Sequence, residues 1–431
     1  MLNVFPFMEQ VSSITSLYVH VPFCARKCEY CAFYSEASDG ATINRYVEAL
    51  IREMEMVAPE LRPRTVFFGG GTPSLLNLGQ WEKILLAMQR LGLLGAEEWT
   101  VECNPATVSL DKAKLLRSFG VNRISMGVQS LNEDLLDRLG RVHSREMVFK
   151  SFDVLRAAGF DNLSIDLMFA IPGQTLEVWR ETLTEALALG SEHLSSYEVI
   201  YEDDTPLFHQ MKAGKCDLNE DLACAMFDEL LERTARGGFQ QYEIANFARR
   251  AGPVTTTAQE EHDARRVVNL QPGTAALRSA DVSPGETGDV PFRACQHNVN
   301  YWRGGCFHGL GPSASGYVGG ARTKNWSNTI LYCERLDQGR RAIESSEILP
   351  PLARAGEIAA FGLRMNAGWP LAEFKARTGF DLGQEWRLEI QQLLGLGYGM
   401  MNSERFHLTT KGLRYADWAA EQFLRPAKTE G

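Results

Sequence analysis

Hydrophobic positions along this chain fall into two textures. Short apolar runs rich in β-branched and aromatic residues lie at Leu17–Val21, Thr65–Phe68, Trp99–Glu102, Arg123–Met126, Leu163–Phe169 and His193–Ile200. Between them, longer segments return an apolar residue every three or four positions: Ile43–Val57, Trp81–Leu91, Asp111–Phe119, Arg145–Ala158 and Leu176–Leu189. The first texture predicts strands and the second amphipathic helices. Their alternation predicts an α/β fold in which helices wrap a parallel sheet. Six such units over residues 16–249 predict a partial (β/α)6 barrel rather than a closed eight-fold one. Barrel chemistry collects at the C-terminal ends of strands, and the distinctive motifs here follow predicted strands.

The pattern then breaks. From Ala248 to Pro291 there is no Phe, Trp or Tyr, while Thr, Ala, Gly, Pro and mixed charges accumulate. Residues 250–291 therefore predict a flexible insertion, too polar to offset the entropy of ordering and too long for an ordinary connection. Residues 292–342 resume as a connecting segment, and residues 1–15 form an N-terminal extension. From Ile343 the texture changes again. Helices are predicted at Leu352–Leu363, Pro370–Thr378 and Leu382–Leu394, then a turn at Gly395–Gly399, an extended pair around Met400–Thr409 and a last helix from Lys411. That order predicts a small winged-helix-like module over residues 343–431.

Charge narrows the partners. With a net charge of −10 the chain repels polyphosphate, so nucleic acid is not an expected partner and the tail module reads as a structural or docking element. No window reaches the ~18–20 apolar residues that cross a bilayer. The N-terminus lacks a basic flank, and Pro6 and Glu9 interrupt its apolar residues, so a cytoplasmic location is expected. Of the nine cysteines, three crowd together, which suits a reducing compartment with a metal site rather than a disulfide framework. Cys216, Cys224 and Cys333 read as scattered buried thiols.

Those three are Cys24, Cys28 and Cys31, spaced C-x3-C-x2-C directly after the first apolar run. Three thiolates can hold three irons of a [4Fe-4S] cluster and leave the fourth open to an exogenous chelating ligand. The alternative is a structural zinc, which wants four closed ligands; the nearest further candidate is His20, and no second C-x2-C pair exists. Phe68-Gly69-Gly70-Gly71-Thr72-Pro73 follows the second strand, and glycines there let backbone approach a ligand closely. Gln129 offers donors and acceptors suited to hydroxyls, and Arg141 can fork onto a carboxylate. Asp166 is a carboxylate inside an apolar run, costly to bury unless paired, which points to ligand contact.

Tyr18-Val-His20-Val-Pro-Phe-Cys24, with the cysteine spacing, resembles the radical S-adenosylmethionine (SAM) superfamily, and within it the oxygen-independent coproporphyrinogen III oxidase branch. The resemblance covers most of the chain outside the insertion and the first fifteen residues. It implies SAM on the cluster's open iron through its amino and carboxylate groups. Residue by residue, it implies that the Gly70–Gly71–Thr72 turn holds the methionine amino group and that Glu102 contacts the cofactor. Gln129 and Asp166 then take the ribose, and Arg141 the methionine carboxylate. Tyr18 and Tyr30 flank the cluster and pack against the adenine, which the backbone near Ile200 also touches.

Two features separate branches. The oxidases carry a fourth cysteine two places after the third; here that position is Phe33. His297-Asn-Val-Asn-Tyr301-Trp302 resembles the motif of the heme chaperone branch (HemW), as do Tyr242–Arg249, Gly309–Ala314 and the tail module. This resemblance implies heme as a ligand, with His297 as axial ligand beside the flat surfaces of Tyr301 and Trp302. It also implies delivery to respiratory heme-acceptor proteins, allows a homodimer, and gives no indication of a membrane surface. The alternative for His297 is a hydrogen-bonded histidine that stabilises the join after the insertion. The chaperone pattern usually shows His where this chain has Ser315, and His308 is near enough to compensate. The alternative function is the oxidase itself, a radical oxidative decarboxylation to protoporphyrinogen.

Overall fold

A computed structural model describes residues 14–216, 218–249 and 293–425. The expected insertion and most of the N-terminal extension lie outside the described residues. Six strands run parallel in chain order: β1 (Ile14–Val21), β2 (Leu61–Gly70), β3 (Glu98–Cys103), β4 (Arg123–Gln129), β5 (Leu163–Phe169) and β6 (His193–Glu198). This is the expected partial barrel. β6 ends two residues before the predicted limit. A hairpin of β7 (Phe239–Glu243) and β8 (Asn246–Arg249) adds antiparallel to β6, with Leu194 opposite Phe247. On the other edge β9 (His308–Leu310) lies parallel to β1, with Leu17 opposite His308.

The crossover helices begin where the sequence supplies a capping side chain. Asp39 accepts from Thr42 N at the start of Gly40–Val57, and Asn77 with Gln80 forms a reciprocal capping box for Leu78–Arg90. Ser144 and Thr175 cap Arg145–Ala157 and Leu176–Ala188 in the same way. Their apolar faces bury Trp81 and Trp179 against the sheet, where Trp99 of β3 is buried too. The helix Glu220–Arg236, unmarked in the sequence reading, packs below β5, and its Met226 carbonyl accepts from Trp179 Nε1 at 2.8 Å. Cys216 and Cys333 are buried as expected, but Cys224 is exposed because it lies on the outer face of this helix.

Beyond the barrel the chain returns at Arg293, whose N–H donates to Arg249 O at 3.2 Å, so the two ends of the undescribed stretch meet. The helix Gln296–Trp302 and β9 follow, then an antiparallel sheet of β10 (Ser315–Val318), β11 (Ala321–Asn325) and β12 (Ile343–Ile348). The tail holds a core of its own around Trp369, Phe374, Trp386, Phe406 and Phe423. A three-stranded sheet, β13 (Trp369–Pro370), β15 (Arg405–Leu408) and β14 (Gly399–Met401) in that order, sits with its helices in the winged-helix manner. Backbone bonds from Ile244 N to Arg364 O and from Asn366 N to Tyr242 O seat it on the β7–β8 hairpin.

One buried carboxylate joins the first crossover helix to the segment after β9. Glu53 accepts from Gly311 N at 2.9 Å, Asn325 Nδ2 at 2.9 Å and Tyr332 Oη at 2.7 Å, with Arg341 at 3.8 Å. Glu53→Ala leaves those donors without that acceptor in a buried site. We expect a loss of roughly 3 kcal/mol or more, read as a lowered urea midpoint, while Glu53→Gln retains an acceptor and loses less. Equal, small losses for both variants would show that the site admits water.

Candidate functional site

The three cysteines lie in a loop closed at its base. Cys24 N donates to Glu36 O at 3.1 Å and Glu36 N to Pro22 O at 2.8 Å, so Cys24–Phe33 projects from the C-terminal end of β1. All three thiols are partly exposed and none is in a disulfide. Burial raises the Cys31 thiol's pKa, and the nearby Cys28 and Cys24 add to the effect. Among the described residues no three His, Cys, Asp or Glu side chains converge on a single metal ion. A cubane asks for one thiolate per iron, a wider spacing than a mononuclear zinc.

The glycine turn after β2 is stitched to this loop. Gly71 N donates to Val21 O at 2.8 Å and Thr72 N to Phe23 O at 2.7 Å, while Thr72 Oγ1 lies 3.5 Å from Cys24 Sγ. A Cβ on Gly71 would stand 2.6 Å from Val21 O, which no side chain tolerates. Gly70 adopts φ +99° and donates its N–H to Glu102 Oε2 at 3.2 Å. Burial, then the charge of Asp166, push the Glu102 carboxyl up to about 8. Asp166, midway along β5, accepts from Ser125 Oγ at 3.1 Å and Ser164 Oγ at 3.3 Å. Arg141 donates to Gly127 O at 2.6 Å and reaches Cys28 Sγ at 3.4 Å; its buried Nε has no partner in the protein. Gln129 ends β4 at φ +66°, a left-handed conformation that few residues other than glycine adopt. Tyr18 Oη bonds His20 Nδ1 at 3.0 Å, and His20 Nε2 reaches Tyr34 O at 2.8 Å, tying β1 to the far side of the cysteine loop.

Of these groups Tyr18, Gly70, Glu102 and Asp166, with Phe33 and, from the floor, Asn298, line a cavity of about 250 Å³, whereas the three cysteines, Arg141 and Gln129 stand outside its lining. Tyr30 stands outside its lining, packed on the cluster that includes Leu139 and Ile171 and close to Cys28 and Arg141. Ile200 lies two residues past β6 with its side chain 64% exposed, away from the cluster loop's hydrogen bonds. Arg123 and Glu98, unremarked in the sequence, complete the interior. Arg123 is buried at the start of β4 and bonds Thr100 Oγ1 at 3.4 Å. Burial opposes its charge, but Cys295, Glu98, Tyr242 and Asp166 outweigh that cost and raise its pKa. Glu98 accepts from Gln296 N at 2.8 Å and His297 N at 2.9 Å, which fixes the helix Gln296–Trp302 across the barrel floor. A charge at the start of an otherwise apolar strand was the available signal for both.

Comparison with known proteins agrees with this geometry. Residues 18–186 match the Radical SAM superfamily and residues 349–415 the HemN C-terminal domain. The heme chaperone HemW of Lactococcus lactis is 31% identical over 411 residues, spanning 95% of this chain and 97% of that one. The chain belongs to the HemW family. HemW of Bacillus subtilis is 30% identical, covering 92% and 96% of the two chains, and HemW of Escherichia coli is 29% identical, covering 95% and 98%. The coproporphyrinogen III oxidase HemN of Escherichia coli, a radical SAM enzyme, shares the fold with a TM-score of 0.75 at 21% identity, over 96% of this chain and 90% of that one.

Within this HemW family member one expectation needs correction. His297 is not placed as an axial ligand. Its ring is 1% exposed, Nδ1 bonds Thr65 Oγ1 at 3.0 Å and Nε2 bonds Tyr301 Oη at 2.7 Å. Phe67 stacks on the ring at 5.2 Å between centroids. Both nitrogens that could meet iron are engaged, so the residue holds the floor helix instead. His308 is likewise buried, with Glu60 3.2 Å from Nε2, and Ser315 is exposed on β10.

Burial, then the charge of Arg123, lower the His297 pKa to about 3. The imidazole is therefore neutral in the fold, whereas in the unfolded chain it protonates near about 6.5. As pH falls the unfolded state takes up the proton first, so stability present above about 6.5 is lost toward about 3. The stability gap between wild type and His297→Gln should shrink below about pH 6.5 by roughly 1.4 kcal/mol per unit, followed by urea melts at successive pH values. A gap that does not change with pH would mean the ring is charged or wet.

Proposed function

We propose that this chain is a heme-binding chaperone that carries a SAM-liganded [4Fe-4S] cluster on Cys24, Cys28 and Cys31 and delivers heme to respiratory acceptor proteins. The observation that carries the cofactor part is the stitched pair of loops. Three thiols project from a loop bonded to a glycine turn whose Gly71 has no room for a Cβ, Gly70 of that turn lines the cavity, and a half-satisfied guanidinium, Arg141, lies against Cys28. The donor set fits the group. The cluster, when bound, supplies one-electron chemistry to its sulfonium ligand.

The chain's own residues do the positioning. The Gly70–Gly71–Thr72 turn takes the methionine amino group, and Glu102, whose pKa burial raises to about 8, becomes ionised when a cation arrives. Arg141 pairs with the methionine carboxylate while shielding Cys28, and Gln129 and Asp166 take the ribose hydroxyls. Tyr18 closes one wall; Tyr30 and the Ile200 backbone approach the adenine from the outer side. The relatives named heme chaperones, together with Phe33 where the oxidases have cysteine, support handling of heme over its synthesis. Phe33 is 68% exposed at the cavity's mouth and offers iron no ligand.

Anaerobic reconstitution tests the reading. We expect about four irons per chain and a reduced-cluster electron paramagnetic signal that SAM perturbs, both lost in Cys28→Ser. The same preparation should take up heme stoichiometrically and form no protoporphyrinogen from coproporphyrinogen with strong reductant. Turnover to protoporphyrinogen without heme uptake would make it the oxidase.

A further inference from the structure

A larger cavity, about 540 Å³, opens at the opposite end of the barrel from the cysteine loop, where the start of β1 meets the tail module. Its lining joins Ile14 and Thr15 of β1 and Asn300 of the floor helix to two tail helices, Pro351–Gly362 and Leu371–Thr378. The charge of that lining has one sign. Arg354 and Arg377 belong to it, and no aspartate or glutamate among the described residues does. This occurs in a chain whose net charge is −10.

The two guanidiniums differ in kind. Arg354 is fixed in place: its side chain is 15% exposed, lies 3.7 Å over the Tyr317 ring, and donates to Glu357 Oε2 at 2.7 Å and Gly304 O at 3.4 Å. Each of its terminal nitrogens keeps a further N–H beyond those bonds. Arg377 is exposed at the end of its helix. Nearby carboxylates do not neutralise the pair. Glu357 is shared with Arg322 at 2.5 Å, and the other carboxylate beside Arg322, Glu347, is exposed and screened. Arg303, next to the wall residue Gly304, also faces positive charge. Burial lowers its pKa most, Glu373 opposes this, and Arg377 and Arg405 lower it further. Ile14, Pro351, Ala355 and Ile358 give the same space an apolar side. The volume is that of a small-molecule site and far exceeds what a bare ion needs.

We propose that this cavity binds a small organic polyanion, its carboxylate or phosphate groups on Arg354 and Arg377 and its carbon skeleton against Ile14 and Ile358. Guanidiniums hold both kinds of oxyanion through paired N–H donors. Arg354 is a preset donor, because Glu357 and the tyrosine ring already fix it, and Arg377 supplies charge at the open side. The ligand touches β1 and two tail helices at once, so it clasps the tail to the barrel and raises thermal stability on binding. This site shares no lining residue with the smaller cavity and does not depend on the heme-binding reading.

Calorimetric titration of the full chain with fructose bisphosphate, and separately with tricarballylate, tests this. At least one probe should bind saturably with a Kd below about 1 mM and raise the melting temperature. A tighter bisphosphate assigns a phosphate ligand, and a tighter tricarballylate a carboxylate one. Arg377→Glu, at an exposed helix end, should weaken binding at least about tenfold with the urea midpoint unchanged. Arg354→Lys, which keeps the charge but loses the fork, should weaken it as well. Arg387→Glu, an exposed position of the same module outside the lining, should leave the affinity as it is. No saturable binding of either probe by wild type would overturn the site. So would an affinity unmoved by both Arg377→Glu and Arg354→Lys, or one lowered equally by Arg387→Glu, which marks a general charge effect.

Discussion

A carboxylate on the first amides of a short helix closes this barrel. Six strands cannot complete a cylinder, and the polar interior at the strand starts would otherwise meet solvent. Glu98 holds the helix Gln296–Trp302 in that opening through the amides of Gln296 and His297. Negative charge is favourable there, since those amides lack partners within the helix. The helix then presents His297 to Thr65, and Thr65 to Ser16, so β1 and β2 are registered at their bases. The same two strands carry the cysteine loop and the glycine turn at their tops. Geometry at the site is therefore inherited from a contact at the other end of the strands.

The interior above that floor is an exercise in charge compensation. Burial raises the pKa of both Asp166 and Glu102, and the charge of Asp166 raises that of Glu102 further. Arg123, placed one layer lower, attracts both carboxylates and also faces Glu98. Removing either sign alone would leave an uncompensated buried charge, the most costly kind of deletion. Within the protein the compensation leaves one buried atom of this group, Arg123 Nε, without a partner.

Much of this was legible beforehand, for identifiable reasons. β1 to β5 announce themselves because they are buried on both faces and so are continuous apolar runs. The β6 prediction overran because Val199 and Ile200 extend the apolar run after the ladder has stopped at Glu198. β7, β8 and β9 were missed because edge strands of three to five residues carry too little pattern. The cysteine and glycine motifs were readable because spacing alone forces them into turns. Arg123 and Glu98 were passed over because a charge at a strand's start looks like its boundary. His297 was misassigned for a different reason: a motif gives residue type but not the direction a ring faces, and here the hydrogen bonds of Thr65 and Tyr301 decide it.

That last distinction bears on what the floor helix does within the barrel. The floor helix is covered above by the cavity and below by the segment that leads, through Gly304 and Gly305, into β9. Its Asn298 lines the upper cavity and its Asn300 the lower one. Asn300 Nδ2 also bonds the Cys306 carbonyl at 3.2 Å. One seven-residue helix, pinned at its N-terminus by Glu98, is thus a wall of both spaces. Both walls therefore depend on one carboxylate contact, the bonds from Glu98 to the Gln296 and His297 amides.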